Sequence, residues 1–173
     1  MKDKQNHSKK TINCHGKILT IEEPIVMAIV NATPDSFYTS SRANNDTVLS
    51  TVEKYIKEGA KIIDLGAYSS RPDGTDITVQ EEIDRLLPVL RLIRQNYPSI
   101  LISLDTFRSE VFEACAGYRI DFVNDISAGK LDPKLPMLVG SMSIPYIAMH
   151  MKGSPQTMQD LCQYDSILLE MNA

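Results

Sequence analysis

Ile25-Val26-Met27-Ala28-Ile29-Val30-Asn31-Ala32-Thr33-Pro34-Asp35-Ser36-Phe37 is the stretch on which the fold turns. Six apolar residues, the length of one buried strand, give way at once to Asn, Thr, Pro, Asp and Ser. A buried strand that ends in fixed polar groups is how parallel α/β enzymes build a site at the C-terminal edge of the sheet. The same switch recurs downstream. Ala60–Gly66 runs into Ser69-Ser70-Arg71-Pro72, and Ile100–Leu104 into Asp105-Thr106. Ile120–Val123 runs into Asn124-Asp125, and Ile144–Met149 into His150-Met151-Lys152-Gly153.

Helical patterns separate these runs. Val48, Leu49, Val52, Tyr55 and Ile56 give one apolar face, with Asp46 as the expected cap and Gly59 as the stop. Thr78 and Glu81 form a capping box for a helix to about Asn96, with Ile83, Leu86, Leu87, Leu90 and Ile93 facing inward. Pro88 inside it predicts a kink. Shorter helices are expected over 109–116, 133–142 and from Tyr164 onward. Two β-prone runs around His15-Gly16-Lys17 predict an N-terminal hairpin, with His15 solvated at its turn. Residues 1–10 read as a disordered head and 11–173 as one domain. Five strands alternating with helices make a parallel sheet with right-handed crossovers. The spacing fits either an open doubly wound sheet or about five of the eight units of a βα barrel.

Composition narrows the function. In 173 residues, 43% are hydrophobic and 23% charged, enough for a buried core. The net charge of −4 gives no general attraction to nucleic acid or membranes. No stretch reaches the length of a membrane span, and the head lacks the apolar centre of a secretory signal. Cys14, Cys115 and Cys162 show no metal or disulfide spacing, so a reduced, cytoplasmic protein is expected. The GxGxxG, Walker, HExxH and GxSxG patterns are absent.

The strand ends offer Asn31, Asp35, Ser70, Arg71, Asp105, Asn124, Asp125, His150 and Lys152. Asp and Asn together suit a flat heterocycle with amide-like and amino groups. Asn31 brings a hard oxygen suited to Mg²⁺, and Arg71 a donor fork for an anion. Each has a structural alternative: Asp105 as a helix cap, Asp125 as a turn bridge, His150 as a satisfied core residue, and Asn31 bonded to loop backbone. Their recurrence at successive strand ends is what favours a site.

Five segments, in order, resemble the dihydropteroate synthase family: Asn31–Phe37, Asp64–Pro72, Ile102–Thr106, Val123–Ser127 and Met149–Gln159. The resemblance runs from about residue 12 to the end of the chain. It implies a (β/α)8 TIM barrel, here its first five units or so. It also implies condensation of 6-hydroxymethyl-7,8-dihydropterin diphosphate with 4-aminobenzoate, giving 7,8-dihydropteroate and diphosphate in folate biosynthesis. Asp105 and Asn124 would bind the pterin, with Asp105 also stabilising a cation. Asp125 joins them as a substrate-binding candidate, and Met149 lines the pocket. Asn31 would lie at the diphosphate and Mg²⁺. Asp35 and Phe37 would sit on the first loop. Ser70, Arg71 and Pro72 would lie near 4-aminobenzoate and sulfonamides. Asp105, Asn31 and Arg71 are the catalytic candidates. Complete members are implied to pair as homodimers.

The family's later pterin Asp, its Lys and its Arg-x-His have no counterpart here. These residues alone, with two raw sheet edges, are therefore expected to fold poorly and not to turn over. Two other readings stay open: a pterin-binding methyltransferase domain, and a non-catalytic remnant.

Overall fold

The computed structural model describes residues 10–14, 16–32, 42–69 and 76–172, with the backbone alone over 42–46. A hairpin opens the chain: β1 (Lys10–Cys14) pairs antiparallel with β2 (Lys17–Ile21). Lys10, assigned above to the head, belongs to the strand, where it pairs with Ile21. Residues 1–9 and His15 lie outside the described residues.

A five-stranded parallel sheet follows, its neighbours in chain order: β3 (Val26–Asn31), β4 (Ala60–Gly66), β5 (Leu101–Asp105), β6 (Phe122–Asp125) and β7 (Tyr146–Ala148). Between them run α1 (Arg42–Lys57), α2 (Val79–Asn96), α3 (Ser109–Cys115) and α4 (Lys134–Ser141), and α5 (Ile167–Asn172) closes the chain. Strand order without a reversal is barrel order, so the open doubly wound alternative falls. These are five successive strands of a βα barrel.

Period-two alternation splits each strand between two faces. Val30, Ile63, Leu65, Ile102, Leu104 and Val123 meet Val52, Leu86, Leu90, Ile93 and Phe112 from the helices in the main core. On the inner face, Ile62 and Phe122 pack with Cys14, and Leu101 and Ile147 with Ile12 and Leu19. The hairpin therefore plugs the N-terminal end of the inner face with apolar side chains. Farther along, the same face becomes polar, through Asp64, Ser103, Asp105 and Asn124.

Two helices differ from expectation. α1 begins at Arg42, so Asp46 lies inside it rather than at its cap. α2 does begin at a capping box: the Glu81 N–H donates to Thr78 Oγ1 at 3.2 Å, and the Thr78 N–H to Glu81 Oε2 at 2.8 Å. It continues as one helix through the exposed Pro88. Its fully buried positions include Glu82 and Val89, while Ile83 and Leu87 are half-buried at the margin of the core.

Candidate functional site

Parallel register sets one row across the C-terminal end of the sheet. Asn31 stands opposite Gly66, Gly66 opposite Asp105, and Asp105 opposite Asn124. Two further backbone bonds hold the row beyond the strand ends: Ala32 N–H to Gly66 O at 2.7 Å, and Thr106 N–H to Asn124 O at 3.1 Å. The alternation that puts Ile62 and Leu101 on the inner face puts Gly66 and Asp105 there too, and Asn31 follows Met27. Three polar candidates from three strands thus share one layer, above the apolar plug.

Gly66 matters because it has no side chain. A Cβ there would stand 3.1 Å from Asp105 Oδ2 and 3.2 Å from Asp105 Cβ. The carboxylate lies over the bare backbone of the neighbouring strand. Burial, with Asp64, Glu82 and Asp125 nearby, pushes the Asp105 carboxyl up to about 7. It does not cap α3, whose N-cap is Arg108.

Asn124 donates from Nδ2 to Asp64 Oδ2 at 3.0 Å, reaching from β6 across β5 to β4. Asp64 is 2% exposed, and burial raises its carboxyl against the pull of the donors beside it. Asp64 Oδ1 and its register partner Ser103 Oγ are both buried, and the Ser103 hydroxyl is the second donor beside the carboxylate.

Asp125 is occupied by a turn. Its Oδ1 accepts from the Ser127 N–H and hydroxyl, and its Oδ2 from the Gly129 N–H and the Tyr146 hydroxyl. With no exposed surface and both oxygens engaged, it shapes the β6–α4 loop. That is the turn-bridging alternative, and it leaves no free lone pair aimed at a ligand.

Sequence reasoning missed Glu82. Its carboxylate is fully buried behind the end of β5. The Thr106 hydroxyl donates to it at 2.7 Å and Arg108 Nη1 at 2.9 Å. Burial raises its carboxyl despite these donors. The Arg108 guanidinium also lies 5.1 Å from the ring centroids of both Tyr68 and Phe107, which meet edge to face at 5.0 Å. Gln156 Nε2 donates to the Tyr68 hydroxyl at 3.2 Å. The loops after β4, β5 and β7 are therefore clasped together.

At the end of β7, Met149 is partly exposed and its N–H donates to Asp125 O at 3.0 Å. His150 lies against Tyr164 at 5.6 Å between ring centroids, and Lys152 covers the same ring and pairs with Glu170. The structure thus gives His150 and Lys152 to the last loop and helix. Asp35, Phe37, Ser70, Arg71 and Pro72 lie outside the described residues. Among the described residues, no cluster of three His, Cys, Asp or Glu could hold a metal, and no helix is long and apolar enough to cross a membrane.

The family model for pterin binding enzymes matches residues 27–173. The chain is 44% identical over 145 residues to the folic acid synthesis protein fol1 of Pneumocystis carinii, covering 84% of this chain and 20% of that protein. It is 35% identical over 160 residues to the dihydropteroate synthase of Escherichia coli K12, covering 91% and 55%. Among solved structures, a Yersinia pestis dihydropteroate synthase with a sulfonamide drug complex superposes at TM-score 0.81 and 31% identity, covering 94% of this chain and 59% of that one. The Xanthomonas albilineans enzyme with 4-aminobenzoic acid superposes at 0.75 and 34% identity, covering 94% and 57%. The chain thus spans only part of the length of the relatives it matches, from 20% to 55% of these two curated proteins.

Proposed function

The chain belongs to the pterin binding enzyme family, and from that premise we propose that it supplies the pterin half of a dihydropteroate synthase. The observation that carries the reading is the row Asn31–Gly66–Asp105–Asn124, aligned by strand register at the C-terminal end of the sheet. An ionised Asp105 accepts from two N–H groups on the amino-lactam edge of a pterin, and Asn124 offers an acceptor and a donor beside it. The bond from the pterin methylene carbon to the diphosphate oxygen breaks, and the electron pair leaves with the diphosphate. Asp105 balances the positive charge spread into the ring. The amine of 4-aminobenzoate then forms the new C–N bond and loses one proton.

Asn31, exposed at the rim of the row, fits Mg²⁺ as one neutral oxygen donor, because that ion commonly keeps several waters and phosphate oxygens in its shell. Bound there, the ion would neutralise charge on the departing diphosphate. Asp35 and Phe37 on the first loop, and Ser70, Arg71 and Pro72 on the second, are read as the rest of the diphosphate and arylamine surroundings. Met149 is read as a wall of the pterin pocket. Three unpaired cysteines suit a reducing compartment, which we read as the cytoplasm, and the complete protein is read as a homodimer.

The test is diphosphate release and dihydropteroate formation from the two substrates, using the complete natural protein. Activity lost in Asp105→Asn, with the protein still folded, supports the reading. No condensation by the wild type would sink it.

A further inference from the structure

We propose that Asp64 is a positioning residue of the heterocycle site: its buried carboxylate dictates which end of the Asn124 amide faces the substrate. This rests on the pterin reading above.

A carboxylate has no donor to offer, so the group turned toward it must be the amide nitrogen. Asn124 Nδ2 lies 3.0 Å from Asp64 Oδ2. That leaves Asn124 Oδ1 and the second N–H for the pocket. An amide turned by 180° has almost the same shape but swaps donor for acceptor. Nothing in packing alone would fix the choice; the carboxylate does. Gly66, two residues beyond Asp64 on the same face, adds no side chain above Asp64.

A merely structural Asp64 is hard to justify. It is 2% exposed, and its neighbours in reach are the Asn124 amide and the hydroxyl of Ser103, beside it in register. A buried carboxylate costs more desolvation than two neutral donors return, and Ile62 shows what that face accepts one pleat lower. The position keeps a charge where packing would favour none.

The test uses two fluorescent probes on the complete natural protein: pterin, and 2,4-dioxopteridine, which carries an oxygen in place of the pterin amino group. In Asp64→Asn the two facing amides can turn together, so either orientation is satisfied. The preference for pterin should narrow about five- to tenfold, the worth of one or two misdirected hydrogen bonds. In Asp64→Leu, pterin affinity should fall by at least that factor. Thermal melts on both variants establish folding. An unchanged preference in Asp64→Asn overturns the proposal, and so does a folded Asp64→Leu that binds pterin like the wild type. Failure of the wild type to bind pterin would instead refute the functional reading.

Discussion

At the scale of single residues, the site depends on what is missing as much as on what is present. Gly66 gives Asp105 room to lie flat on β4. Gly66→Ala places a methyl group about one van der Waals overlap from the carboxylate, and the carboxylate must swing away. We expect pterin affinity to fall about tenfold, close to 1.4 kcal/mol. Fluorescence titration beside a thermal melt checks it; an unchanged affinity would mean that Asp105 does not set the pocket. Asp105 and Asn124 were legible in the sequence because each follows a strand-length apolar run. Asp64 and Glu82 were not. A carboxylate inside a strand or a helix reads as a solvated position unless its partners are known. Those partners, Asn124 and Thr106, lie 60 and 24 residues away. Asp125 shows the converse: a strand-end position promised a ligand contact, and local geometry gave it to Ser127, Gly129 and Tyr146 instead.

At the scale of elements, local chemistry marks some boundaries and tertiary contacts decide others. The Thr78–Glu81 box was readable because both partners lie within one turn, and it starts α2 as expected. Thr78→Ala should cost about 1 kcal/mol, seen as a lower urea midpoint with unchanged slope. The start of α1 was missed because Asp46 is equally acceptable one turn inside a helix, where the dipole still favours an acid. The far end of α2 is held by a long-range device. Arg94, 13% exposed, donates to Ile100 O at 2.6 Å, to Tyr118 O at 3.1 Å and to Asp121 Oδ2 at 2.8 Å. Asp121 also accepts from the Ile102 N–H at 3.0 Å, so one ion pair ties α2 to the starts of β5 and β6. Arg94→Leu would leave a carboxylate that is 1% exposed with the Ile102 N–H at 3.0 Å and a longer ion pair to Arg119 Nε at 3.7 Å, at a cost of about 3 kcal/mol. Arg94→Leu together with Asp121→Leu should recover much of that loss. A single variant as stable as the double would show that the pair holds nothing.

At the scale of the whole molecule, the five strands form a face with a direction: apolar and plugged by the hairpin at one end, acidic at the other. The alternation of runs predicted a parallel sheet but left barrel order to the strand neighbours, and it gave no sign of the plug, because Ile12, Leu19, Phe122 and Ile147 come from distant segments. The acidic end has a cost that can be measured. Burial raises the carboxyls of Asp64, Glu82 and Asp105, the last to about 7. The opposing shifts are on the exposed Glu81 and the half-buried Asp132 and Glu170, which keep contact with solvent and are weakened by screening. A carboxyl whose folded value exceeds its unfolded one leaves the folded state richer in protons between the two values. Stability therefore falls as pH rises through that window, for Asp105 from about 4 to about 7, by at most about 1.4 kcal/mol per pH unit. Urea unfolding at a series of pH values should show the ligand-free protein more stable near pH 5 than near pH 7.5. Asp105→Asn should flatten the slope, and saturating pterin, which holds Asp105 ionised as it is in the unfolded chain, should remove that group's share of it. A curve that rises with pH in the ligand-free protein would mean that the row is solvated and that Asp105 titrates as an ordinary surface acid.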